Sequence, residues 1–217
     1  MTGTKLFYHY FEEWIDLYKV NSVRPITLNK YYTTLTSLVR LAPKLRLCDL
    51  TRQSYQQLIN AYAQDHERQT TMDFHHQLKS CIMDAFDEGK ISQNPTRKAV
   101  ITGKKPAPKK TKFLSQFDTQ RLIHVMDLGT SLNWDWFLLL ILKTGLRFSE
   151  ALALTPECFD FTNQTLSVRY SWDYRHTNGG FQPTKNPSSV RKIQLDWQTT
   201  MQFSQLLHDL PSDEPIF

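Results

Sequence analysis

A chain of 217 residues that is 40% hydrophobic and 12% aromatic is long enough to bury one sizeable core or two small ones, which excludes wholesale disorder. Its longest apolar block, residues 134–142 interrupted by Asp135, falls far short of the roughly 20 residues a bilayer-crossing helix needs. No secretory signal pattern opens the chain either, so an intracellular protein without a membrane segment is expected. Charge is uneven: residues 1–110 carry 17 Lys and Arg against 10 Asp and Glu, net +7, whereas residues 111–217 carry 9 against 11, net −2. The basic half points to a polyanionic partner, for which nucleic acid is the usual candidate.

In chain order, Phe7, Tyr10, Phe11, Trp14, Ile15 and Tyr18 fall at helical spacing, and a second amphipathic helix carries Tyr31, Leu35 and Leu38 after the helix-opening Pro25. The aromatic stripe of the first helix reads as domain core rather than as a base-stacking platform. Thr51 is placed to cap a third helix bearing Tyr55, Leu58, Ile59 and Tyr62. A fourth presents Leu78, Ile82, Ala85 and Phe86 before Gly89, a helix stop. These four helices form an expected all-α domain over 1–96.

Residues 97–112 hold seven cations, Arg97, Lys98, Lys104, Lys105, Lys109, Lys110 and Lys112, with Gly103, Pro106 and Pro108 and no acid. This reads as an extended basic linker able to follow a phosphate backbone; the plainer alternative is a soluble hinge. A second domain is expected over 113–217. Its first helix opens at Ser115 and carries Leu122, Ile123, Val125 and Met126, and the next, 134–143, is apolar nearly all round and so expected at the centre of the core. Residues 165–170 and 190–195 alternate, with turn signals at Asn178-Gly179-Gly180 and Lys185-Asn186-Pro187. A small antiparallel sheet follows, then a helix from 196 to about 208. Cys48, Cys81 and Cys158 are odd in number, lack any zinc-binding spacing and are expected to be buried, reduced thiols.

Chemistry concentrates in Thr144-Gly145-Leu146-Arg147-Phe148-Ser149-Glu150-Ala151-Leu152-Ala153-Leu154. Gly145 lets the chain turn sharply behind a buried helix, so Arg147 is expected at the edge of a rigid core, with Ser149 placed to cap the next helix. A guanidinium fixed there presents a planar fork that matches two phosphate oxygens; the alternative is an arginine spent on Glu150 or a helix end. Glu150 lies three residues on, where it either orients Arg147 or is simply a first-turn carboxylate. Lys185, on a predicted turn, is a cation able to swing into a groove.

This stretch resembles the first-arginine motif of the tyrosine recombinases (phage integrase family), and the resemblance continues through Thr184-Lys185-Asn186 and Val190-Arg191-Lys192-Ile193-Gln194-Leu195. Leu78-Lys79-Ser80, Asn94-Pro95 and Phe113-Leu114-Ser115 resemble the family's core-binding domain and the entry to its catalytic domain. The resemblance implies a mainly α fold with a small antiparallel sheet, a SAM-like helical core-binding domain and part of an α+β catalytic domain. It also implies site-specific recombination of double-stranded DNA, such as prophage integration or excision, through a 3′-phosphotyrosine and a free 5′-hydroxyl, with no metal or nucleotide cofactor.

On that resemblance Arg147 stabilises charge on the phosphate, Lys185 is the general acid, and Glu150 supports the arginine. Lys79 and Arg191 join the seven linker cations on DNA. The implied partners are other recombinase protomers on DNA and accessory DNA-bending or directionality proteins, in a bacterial, nucleoid-associated, cytoplasmic setting. The departure is that no His-x-x-Arg occurs and that all nine tyrosines precede residue 175, so none matches the family's nucleophile. A recombinase fragment, inactive by itself, is therefore expected. The alternatives are a non-catalytic DNA clamp of the same fold, or a helical interaction protein with an incidental basic linker.

Overall fold

The first helix, α1 (Phe7–Tyr18), buries Phe7, Tyr10, Phe11, Trp14 and Ile15 along one stripe, as their spacing dictates. The computed structural model describes residues 4–106, 108, 111–175, 179–184 and 186–217. It divides into two units, Met1–Lys110 and Thr111–Phe217.

In the first unit α2 (Pro25–Leu41) starts on a proline whose fixed φ suits the first helical turn. α3 (Arg52–Ala63) opens with a reciprocal cap: Thr51 Oγ1 accepts from the Ser54 N–H at 3.1 Å, and Ser54 Oγ accepts from the Thr51 N–H at 2.9 Å. α4 (Arg68–Asp87) ends where Gly89 turns left-handed at φ +68 and the Lys90 N–H reaches back to the Ala85 carbonyl at 2.9 Å. The four helices close over Phe7, Phe11, Ile15, Leu38, Ile59, Leu78 and Ile82, with the Tyr62 and Phe74 rings stacked at 3.9 Å. Phe86, expected on the core face of α4, is exposed instead, and so is the thiol of Cys48; Cys81 and Cys158 are buried.

The first part of the basic segment departs from a free linker. Gln56 grips Val100 by both backbone groups, its Nε2 donating to the carbonyl at 2.8 Å and its Oε1 accepting from the N–H at 2.8 Å. The Lys104 N–H donates to the His66 carbonyl at 2.7 Å, and Ala99 and Ile101 pack on the helical core. Residues 99–104 thus form a strap on the helical unit, because their backbone groups find fixed partners that composition cannot disclose.

In the second unit α5 (Gln116–Val125) is capped by Ser115 and α6 (Trp134–Thr144) by Asn133. α5 contributes no buried residue: Leu122, Ile123 and Met126 are half-buried and Val125 is 75% exposed. α6 buries Trp136, Phe137, Leu139 and Leu140 but leaves Leu138 and Leu142 exposed and Trp134 62% exposed, so it is central on one face rather than all round. Gly145 ends it in the left-handed region at φ +65.

A single turn, α7 (Phe148–Ala151), follows. Then come β1 (Phe159–Asp160), β2 (Thr165–Val168), β3 (Tyr170–Trp172), β4 (Phe181–Pro183), β5 (Arg191–Gln194) and α8 (Trp197–Leu206). Strands β1, β2 and β5 form one antiparallel sheet in that order, with Val168 opposite Arg191, and β3 pairs with β4. Phe203 of α8 sits between Trp136, edge-on at 5.7 Å, and Phe159, stacked at 5.5 Å, which ties α6, the sheet and α8 into one core. No helix among the described residues is long and apolar enough to cross a membrane.

Candidate functional site

Arg147 occupies the residue before α7, in extended conformation, two residues after the glycine that ends α6. Ser149 lies inside the turn of α7 and does not cap it. The capping role falls to Glu150, whose Oε2 accepts from the Arg147 N–H at 3.1 Å while its Oε1 accepts from Arg147 Nη1 at 2.5 Å. Glu150 thus contacts both the backbone and the side chain of Arg147. The carboxylate is 3% exposed, yet the arginine side chain it holds is 62% exposed. A buried anion with a well-defined position thus fixes a solvent-facing cation.

Arg191 joins them from β5. Its Nη2 donates to Glu150 Oε2 at 2.9 Å, and its Nη1 to the Ser189 carbonyl at 3.0 Å. Its side chain is 31% exposed. Burial disfavours the charged form of Glu150, but the hydrogen bonds from Arg191, from the Arg147 N–H and from the Arg147 guanidinium outweigh it and hold the carboxyl below its ordinary range. Arg191, expected as a DNA-contacting cation, thus directs two of its nitrogens into the protein.

Gly145, Arg147, Asn186, Ser188, Ser189 and Arg191 line a polar cleft of about 380 Å³. Asn186, Ser188 and Ser189 were missed by the sequence reading; their one signal is adjacency to the Lys185 turn. Lys185, Lys109 and Lys110 lie outside the described residues. Thr184 is buried, with its hydroxyl donating to the Asn186 carbonyl at 3.1 Å.

Arg97, Lys98, Lys104, Lys105, Lys112 and Lys79 are all exposed. Arg97 borders a separate hollow of about 460 Å³ with Met83, Phe86 and Asn94, while Lys79 projects from α4. Within the second unit the structure unites Arg147, Glu150 and Arg191. Among the described residues no group of His, Cys, Asp and Glu is arranged to hold a metal ion.

No protein-family model matches the chain, and no curated protein does. Among solved structures, the Tn1549 transposon integrase in complex with a circular intermediate DNA is similar over 98% of this chain and 68% of its own, with a TM-score of 0.73 at 16% identity. A lambda integrase tetramer bound to a Holliday junction is similar over 96% of this chain and 61% of its own, with a TM-score of 0.59 at 15% identity. The two units thus have the integrase architecture: a helical domain followed by a mixed helical and antiparallel one. The N-terminal domain of the prophage pi2 integrase from Lactococcus lactis is 30% identical, matching 46% of this chain and 94% of its own length, with a TM-score of 0.44. What the chain shares with the Tn1549 and lambda integrases, over both of its units, is the fold.

Proposed function

We propose that this chain is the DNA-clamping and phosphate-gripping part of a site-specific recombinase that integrates or excises a mobile element. The observation that carries this is the exposed Arg147 guanidinium, fixed by a buried carboxylate on the rim of a polar cleft. A fork preset in this way binds two oxygens of a phosphate diester and stabilises the charge that grows on them as the phosphorus is attacked. The architecture shared with integrases solved on DNA intermediates supports the reading.

In the reaction so proposed, a tyrosine hydroxyl loses its proton to solvent or a base as its oxygen bonds to phosphorus, the bond from phosphorus to the 5′-oxygen breaks, and the departing oxygen takes a proton from Lys185. The strand is then held as a phosphotyrosine and can be passed to a second 5′-hydroxyl. No tyrosine of this sequence matches the family's nucleophile, so the chain by itself is expected to bind duplex DNA without forming a covalent link.

Two measurements test this. Duplex DNA should be retarded by the chain in a mobility-shift assay at moderate salt, and the absence of any such binding would reject the reading. A nicked suicide substrate followed by denaturing electrophoresis and peptide mapping should give no adduct. Tyr174 is the tyrosine to map first, because its ring packs edge-on against Phe148, the neighbour of Arg147, at 5.3 Å. An adduct there would relocate the nucleophile to this chain.

A further inference from the structure

The cleft holds one more cation than the gripping of phosphate by Arg147 requires. A buried carboxylate beside a single arginine makes a neutral pair, and a phosphate diester approaching it would meet the carboxylate's repulsion along with the guanidinium's attraction. Glu150 has two oxygens, and the structure divides them: Oε1 takes the Arg147 side chain, whereas Oε2 takes the Arg147 N–H and the Arg191 guanidinium. Two guanidinium charges against one carboxylate leave the cluster with a net positive charge. Its most solvent-exposed cation is Arg147, since Arg191 is half as exposed and is also spent on the Ser189 carbonyl.

We infer that Arg191 is a positioning residue that balances the charge of Glu150, so that Arg147 meets phosphate with its own charge uncancelled. The same contact joins β5 to α7 across 41 residues of sequence, and it sets the 186–189 wall of the cleft against the Arg147 wall. β5 is itself fixed by its pairing with β2, where Arg191 stands opposite Val168. The cation is therefore carried on a rigid element. This inference rests on the reading of the cleft as a phosphate site.

The test is a titration of the 217-residue chain with inorganic phosphate, followed by chemical shifts of the Arg147 backbone amide and Nε–H. Circular dichroism on each variant verifies folding. Arg191→Met keeps the apolar stem and removes the charge. It should weaken phosphate binding at Arg147 about tenfold, the factor for one unit charge several ångströms away at a dielectric between protein surface and water. Arg191→Lys should keep most of the affinity. The decisive variant is Arg191→Met with Glu150→Gln, which restores the net charge and should recover binding to within about threefold of the parent.

A folded double variant that stays as weak as Arg191→Met, or an Arg191→Met variant with unchanged affinity, overturns the inference and makes Arg191 a structural tie only. Failure of the parent chain to shift at Arg147 with phosphate overturns the cleft reading and this inference together. Duplex binding, measured separately, distinguishes that failure from loss of the DNA clamp.

Discussion

Gly103 lies directly on the first turn of α4: a β-carbon on it would stand 2.1 Å from the amide nitrogen of Arg68 and 2.5 Å from its Cα. Both neighbours are helix backbone and neither can swing aside, so any side chain at this position lifts the strap. Gly103→Ala is expected to cost about 1–3 kcal/mol through overpacking, or to release the strap altogether. Hydrogen exchange at the Lys104 amide, which is bonded to the His66 carbonyl, should accelerate while the four-helix core stays protected. An exchange rate unchanged by the substitution would show that the strap is not held by this contact.

The cations of the basic segment are expected to set the salt dependence of DNA binding. If about half of the seven cations of 97–112 neutralise phosphates at about 0.9 counterion each, log affinity should fall against log salt with a slope steeper than about −3. Replacing Lys104, Lys105, Lys109 and Lys110 by Gln should flatten the slope and weaken all sequences alike. Equal slopes for the two proteins, measured by fluorescence anisotropy across a salt series, would remove this segment from the DNA interface.

Glu150 makes the second unit sensitive to acid. Its folded pKa lies below the ordinary carboxylate value, so its contribution to stability is complete above that ordinary value and is lost as pH falls through the depressed one. Chemical unfolding at pH 7 and at about pH 3.5 should show a larger loss in the parent chain than in Glu150→Gln, whose side chain does not titrate in this range. Identical pH dependence in both would mean that other carboxylates control acid unfolding.

The helical unit has its own titrating group. His75 is buried, and its Nδ1 lies 2.8 Å from the Tyr55 hydroxyl in the core. Burial first, then the nearby His76 and Lys79, lower its pKa to about 4. The folded imidazole is thus neutral where the unfolded one begins to charge, and stability present above pH 6.5 is lost as pH falls towards 4, by an amount on the order of 2–3 kcal/mol. His75→Phe should abolish that part of the slope between pH 6.5 and 4.5 in thermal unfolding, even where it lowers the melting temperature overall. A slope retained in the variant would assign the acid sensitivity elsewhere.

Much of the fold was legible in sequence because its determinants are local. The α1 stripe from Phe7 to Ile15, the Thr51 cap and the glycine stops at Gly89 and Gly145 each act within one or two helical turns and appear where the spacing placed them, whereas Tyr18, expected to continue the stripe, is exposed at the end of α1. Arg147 and Glu150 were legible for the same reason, being three residues apart around one turn. Tertiary structure decided what depends on distant partners. Gln56 captures Val100 across 44 residues, which turned the first part of an apparent linker into a docked strap. The exposure of Val125 and Leu138 follows from which faces the second core covers, since an apolar pattern specifies a face but not its neighbour. The sharing of Glu150 between Arg147 and Arg191 rests on the antiparallel register of β2 and β5. Local spacing encodes backbone conformation, whereas the charge state of this cleft depends on strand register, which only the assembled core fixes.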